Sequence, residues 1–121
     1  MKNVRVVIDN NALLKQLRAI LSPLGYEIIL SAMDPHLADS DFSETDLIIF
    51  DPHLGDIGVT EGLIDTLKSR SATSGIPLLL VAYSDHNDDI VNGLGAGAND
   101  FILLPAPIGM LKQRIFSLLQ R

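Results

Sequence analysis

The chain has no cysteine, no tryptophan, only two tyrosines and only four phenylalanines among its 121 residues. The missing cysteine excludes disulfides, thiolate metal sites and cysteine nucleophiles, and it fits a reducing compartment. The scarcity of aromatics leaves no platform on which nucleic-acid bases could stack, so the core must be mainly aliphatic. Basic residues are few as well, giving a formal charge of −6, and they are scattered singly. Without a basic stripe to meet a phosphate backbone, direct nucleic-acid binding is not expected. No apolar run approaches the roughly 20 residues that span a bilayer, and Met1-Lys2-Asn3 leads into an apolar run without a signal-peptide core. A membrane is therefore not an expected partner, and the expected address is cytoplasmic.

What the sequence does have is regular alternation of short aliphatic runs with helical patterns. Its length suits one domain over residues 1–121, with no linker, low-complexity tract or internal repeat. Val4 to Ile8 is β-branched and nearly continuous, as expected of a strand buried on both faces of a parallel sheet. Asn10 or Asn11 can cap a helix whose apolar stripe includes Leu13, Leu17, Ile20 and Leu21, ended by Pro23-Leu24-Gly25. Tyr26 to Leu30 predicts a second strand and Asp34 to Phe42 a short, polar second helix. A third strand spans Leu47 to Asp51, and Gly55 and Gly58 break the loop before a helix from about Thr60 to Ser69. Pro77 opens the fourth strand, Leu78 to Val81, and a helix starts near Asp85 with an acidic first turn that suits its dipole. Phe101 to Leu104 is the fifth strand, and Ile108, Leu111, Ile115 and Leu118 form the stripe of a last helix. Right-handed crossovers make these five units a single-domain flavodoxin-like (βα)5 α/β fold, a doubly wound parallel sheet of order 2-1-3-4-5.

The chemistry-bearing candidates follow from that order. Asp9 and Asp51 each close an aliphatic run, and strands one and three flank the point where the sheet order reverses, outside which ligands bind in open α/β sheets. Side by side, two acids there suit a metal or phosphoryl site; separately, each is a polar residue ending a strand and capping a turn. Asp51-Pro52-His53-Leu54-Gly55 partly matches a cobalamin-binding loop, but Asp56 occupies the final glycine position and the motif follows the wrong strand, which leaves His53 at the rim of the site. Gly93-Leu94-Gly95-Ala96-Gly97-Ala98 satisfies a dinucleotide pattern, yet it precedes a strand instead of following one, so helix termination with close packing accounts for it better. His36 and His86 lack ligand spacing, and no serine occupies a nucleophile elbow.

Taken in order, Val6-Val7-Ile8-Asp9-Asn10-Asn11, Asp46-Leu47-Ile48-Ile49-Phe50-Asp51, Ile76-Pro77-Leu78-Leu79-Leu80-Val81 and Gly95-Ala96-Gly97-Ala98-Asn99-Asp100-Phe101 resemble the receiver domains of bacterial two-component response regulators. The resemblance covers the whole chain. It implies phosphoryl transfer from a sensor histidine kinase or a small phosphodonor to Asp51, with Mg2+ held by Asp9, Asn10 and Asp51. It also implies switch positions at Ala82, Phe101 and Leu104, and a cis bond at Leu104-Pro105. The usual partner or homodimer face, on the fourth helix, fifth strand and fifth helix, would include Asp88, Asp89, Asn92, Phe101, Lys112 and Arg114.

The chain departs from that family at three of five working positions. Asn10 stands where the second acid usually is, Ala82 where a phosphoryl-binding hydroxyl is, and Leu104 where a lysine is. An amide weakens a hard-cation site by a full charge. Ala82 gives up a charge-assisted hydrogen bond of roughly 1.5 to 3 kcal/mol, and Leu104 removes a nearby cation. Tyr83 or Ser84 is a candidate replacement hydroxyl. The expectation is an atypical receiver, or pseudo-receiver, that signals mainly through protein contacts; the alternative is a phosphorylation-competent receiver that uses Asp51 and Mg2+. A flavodoxin-like ligand-binding domain is the third class, and it lacks a phosphate-cradling loop.

Overall fold

A strand that is aliphatic on both faces can be buried only between two layers of helices, and the three central strands of the five here obey that rule. In the computed structural model, which describes residues 2–34, 36–54, 57–83 and 87–120, the strands are β1 (Asn3–Val7), β2 (Glu27–Leu30), β3 (Thr45–Phe50), β4 (Leu78–Tyr83) and β5 (Asp100–Leu104). The α-helices are α1 (Asn11–Leu21), α2 (Ile57–Ser69), α3 (Asn87–Ala96) and α4 (Ile108–Leu119). The sheet order is β2-β1-β3-β4-β5, with every neighbouring pair parallel, so the expected doubly wound topology is found. The two edge strands, β2 and β5, are the partly exposed ones.

Period-2 alternation divides the core into two layers. Val4, Val6, Leu47, Ile49, Leu79, Val81, Ile102 and Leu104 face α1 and α4, meeting Leu17, Leu21, Leu111 and Ile115. Val7, Ile48, Phe50, Leu78, Leu80 and Ala82 face the other way, toward Leu63, Ile64 and Leu67 of α2 and Ile90 of α3. Each fully buried leucine or isoleucine contributes about 1.5–3 kcal/mol of transfer free energy, so an aliphatic core needs no tryptophan to hold together. α3 approaches the sheet closely at Gly93, where an added Cβ would stand 2.5 Å from Leu80 Cδ1. Its C-terminal turn closes with Gly97 at φ 125°, a conformation that suits glycine, while the Ala98 N–H donates to the Gly93 carbonyl.

The second crossover is where the fold departs from expectation. Among the described residues no α-helix forms between Asp34 and Phe42; the regular structure there is a single 3-10 turn, Leu37–Asp39. Two aspartates explain this, because Asp34 Oδ1 accepts from the His36 N–H at 2.7 Å and Asp41 Oδ1 from the Ser43 N–H at 2.9 Å. Such local turns compete with helical bonding. Leu37, Ala38 and Phe42 nevertheless fill the layer, and two arginines pin them from either side. Arg5 Nη2 on β1 donates to the Asp41 carbonyl at 2.8 Å with its guanidinium 4.5 Å from the Phe42 ring centre, and burial pushes its pKa below the ordinary value. Arg70, just past α2, donates to the Ala38 carbonyl at 3.0 Å and to Asp39 Oδ1 at 2.8 Å. The expected (βα)5 count is thereby corrected to five strands and four α-helices among the described residues.

Element ends also move. β1 and β3 stop at Val7 and Phe50, so Asp9 and Asp51 lie just beyond the strands instead of closing them. α2 begins at Ile57, three residues before the expected Thr60, and α3 begins at Asn87. Gly55, Asp56, Ser84, Asp85 and His86 lie outside the described residues. Among the described residues no helix is long and apolar enough to cross a membrane.

Candidate functional site

The topology brings the two predicted acids to one end of adjacent strands. The Asp51 N–H donates to the Val7 carbonyl at 2.9 Å, stitching the end of β3 to β1 two residues before Asp9. Asp9 is exposed and Asp51 half-buried, both beyond the carboxyl ends of strands where the sheet order reverses. Asp51 Oδ1 also accepts from the His53 N–H at 2.9 Å, so this carboxylate shapes the turn that follows it. His53 then reaches across to α3, its Nδ1 lying 2.8 Å from Asp89 Oδ2. The loop after Asp51 is in this way tied to the first turn of α3.

Asn10 serves as the N-cap of α1. Its backbone is extended, and Oδ1 accepts from the Leu13 N–H at 3.0 Å, satisfying one of the donors that a helix start leaves without a partner. Its Nδ2 donates to the phenolic oxygen of Tyr83 at the end of β4. Tyr83 is thus bonded to Asn10, and Ser84, the other candidate hydroxyl, lies outside the described residues.

The three positions expected to act as switches divide between the two faces of the sheet. Ala82 is 1% exposed and belongs to the layer under α2 and α3, against which Phe101 packs while half-buried. Leu104 belongs to the opposite layer with Val81 and Leu111, 8% exposed, and is the register partner of Tyr83. Leu104-Pro105 is cis. Asn10, Leu13, Lys15, Tyr83, Leu104 and Ile108 are among the residues lining an open, mainly apolar cleft of about 460 Å3 between α1 and the turn after β5.

Carboxylate oxygens suit a hard cation such as Mg2+, and Asp9 and Asp51 supply that chemistry. The Asn10 oxygen is engaged by the helix start. Among the described residues no group of three or more histidines, aspartates or glutamates could hold a metal ion. On the expected partner face, Asp88 and Lys112 are exposed, Asn92 is half-buried, and Asp89 turns toward His53. Arg114 is bonded within its own chain to Asp100 at 3.2 Å.

Sequence reasoning missed two contacts that shape this site, Asn10 with Tyr83 and His53 with Asp89. The first had a signal, since Tyr83 shares strand parity with Leu79 and Val81 and so must face α1. The second joins loop and helix 36 residues apart, which no local pattern encodes.

No family model matches the chain. It is similar to the sensory transduction protein RegX3 of Mycobacterium tuberculosis, 30% identical over 122 residues that cover 100% of this chain and 52% of that protein. The chain spans about half the length of the curated relatives it matches. Among solved structures, the signal receiver domain of a signal transduction histidine kinase from Syntrophus aciditrophicus is 27% identical with a TM-score of 0.74, covering 99% of this chain and 91% of that one. The receiver domain of sensor histidine kinase PA1611 from Pseudomonas aeruginosa shares the fold at 21% identity and TM-score 0.76, covering 99% and 98%, and has a magnesium ion coordinated in its active site cleft. These likenesses run the length of the chain and converge on one family: the chain belongs to the CheY-like receiver domains of two-component response regulators, which are signal-transduction modules.

Proposed function

We propose that this receiver domain signals mainly through protein contacts and that its acceptor site at Asp51 is degenerate. The observation that carries the reading is the apolar character of Ala82 and Leu104, both buried at the ends of β4 and β5. A phosphoryl group on Asp51 would meet neither a hydroxyl nor a cation from these positions. Losing about 3 kcal/mol of differential stabilisation would cost roughly a hundredfold in a two-state switching equilibrium. Mg2+ binds weakly in this reading, through Asp9 and Asp51 with Asn10 nearby, and would neutralise charge at the acid end. The partner is a sensor histidine kinase or another signalling protein. A second copy would meet the α3-β5-α4 face, where Val91 and Leu103 are exposed and Asp100 pairs with Arg114.

The test is intact-mass analysis after incubation with Mg2+ and a small phosphodonor, with Asp51→Asn as control. No phosphoryl adduct is expected. An adduct that appears in the natural sequence and vanishes in Asp51→Asn would overturn the reading and make the chain a phosphorylation-competent receiver.

A further inference from the structure

An asparagine amide has a single oxygen, and a hard cation can use nothing else of that side chain. In Asn10 this oxygen accepts from the Leu13 N–H at 3.0 Å, while the Nδ2 at the other end donates to Tyr83. The two bonds fix which end of the amide points where. Reversing it would set an NH2 against the Leu13 N–H, donor against donor, at a helix start where that N–H has no intrahelical acceptor. The phenol can donate or accept, and it accepts here because an amide nitrogen has no lone pair to offer. Tyr83 is held for this task by its position in the sheet. It is the last residue of β4, it pairs in register with Leu104, and it shares with Leu104, Leu13 and Asn10 the wall of the cleft beside α1.

We propose that Tyr83 is a positioning residue that locks the Asn10 amide with its oxygen turned onto the start of α1, withdrawing that oxygen from any cation at Asp9 and Asp51. This inference deepens the reading of a degenerate acceptor site: the weakness there comes from two residues acting together, and the missing charge at Asn10 is only half of it. A carboxylate at this position would not by itself repair the site. In Asn10→Asp one oxygen would still cap Leu13, and the other would accept from the Tyr83 hydroxyl, whose donor role simply reverses.

The test is NMR on the full chain, comparing the natural sequence with Tyr83→Phe, Asn10→Asp and the double variant, first without metal and then titrated with MgCl2. Without metal, Tyr83→Phe should move the Asn10 side-chain NH2 resonances toward those of an unbonded amide while leaving the Leu13 amide protected. With magnesium, the double variant should bind at least about tenfold more tightly than Asn10→Asp, since a charge-assisted bond of this kind competes with the cation for the same oxygen. Unmoved Asn10 NH2 signals in Tyr83→Phe, or equal magnesium affinity in Asn10→Asp and the double variant, would overturn the lock. The two proposals fail separately: a phosphoryl adduct on Asp51 refutes the degenerate site, whereas the metal-free NH2 signals judge the lock alone.

Discussion

Leu104→Lys would restore a cation at the end of β5, and its consequence can be worked out from where the side chain stands. Leu104 is 8% exposed, packed with Val81 and Leu111, and on the wall of an open cleft. A lysine stem can follow the same apolar wall and carry its ammonium to the mouth. Ordering that longer arm costs about 1–2 kcal/mol of side-chain entropy, so a loss of stability of that size is expected. Glutamine, shorter and with an amide to desolvate, should lose about 2–3 kcal/mol in the same place. The part of the difference between the two variants that salt removes measures charge. An exposed ammonium–carboxylate pair nets about 0–1 kcal/mol once desolvation and side-chain ordering are counted, and salt screens that gain. Unfolding entropy of about 2.1 cal/mol/K per residue makes each kcal/mol worth about 4 °C in a domain of this length. The assay is thermal and urea unfolding of Leu104→Lys and Leu104→Gln at low and high salt. Leu103→Lys against Leu103→Gln, one residue away on the opposite face, corrects for the general effect of a positive charge on a chain of net charge −6. A Leu104 pair whose stability difference does not change with salt, after that correction, would refute an ammonium reaching from the cleft wall beside Asn10 to the acids.

Gly93→Ala should destabilise the domain by a net 1 kcal/mol or so: the new methyl would overlap Leu80, which is fully buried, at a typical overpacking cost of about 1–3 kcal/mol, offset by about 1 kcal/mol of helix propensity. Urea unfolding measures it, and a more stable variant would contradict the close approach of α3 to β4. The pinned crossover should loosen in acid. Asp39 is held below the ordinary carboxylate range chiefly by its hydrogen bond from Arg70, and Asp41 chiefly by the Ser43 N–H. Because both folded pKa values are depressed, their stabilisation is fully present above the ordinary value of about 3.9 and is lost as pH falls through the folded values. Amide exchange of Leu37 to Phe42 followed downward from neutral pH should accelerate only in that acid window; acceleration beginning near neutrality would contradict it.

The strand order was legible because the decisive residues are short aliphatic runs with turn residues between them, and in a doubly wound sheet the handedness of crossovers leaves few topologies. Leu47 to Phe50 and Leu78 to Val81 needed no tertiary information. The crossover from Asp34 to Phe42 did, because its aspartates bind backbone N–H groups locally and because the arginines that hold it are far away in sequence. The placement of Asp9 and Asp51 beyond the ends of adjacent strands was legible for the same reason as the strand order, since topology alone puts both there. What each side chain does on arrival was not. A cap, a phenol bond and a histidine–aspartate contact depend on rotamers chosen by neighbours, which neither spacing nor composition records.

The arginine-pinned crossover bears on how this stretch can change over generations. Arg5 and Arg70 each grip a main-chain carbonyl, of Asp41 and Ala38 respectively, and every residue but one with an altered backbone geometry offers the same carbonyl. Beyond the buried Leu37, Ala38 and Phe42, the side chains that carry a bond in this stretch are the aspartates Asp34, Asp39 and Asp41. A helix in this layer would demand a periodic apolar stripe over several turns, whereas two guanidiniums, three apolar contacts and a few aspartate turns do not. The surface beside β2 can thus be rewritten, lengthened or charged differently without disturbing the acid end of the sheet, and relatives of this chain can diverge there while keeping one fold.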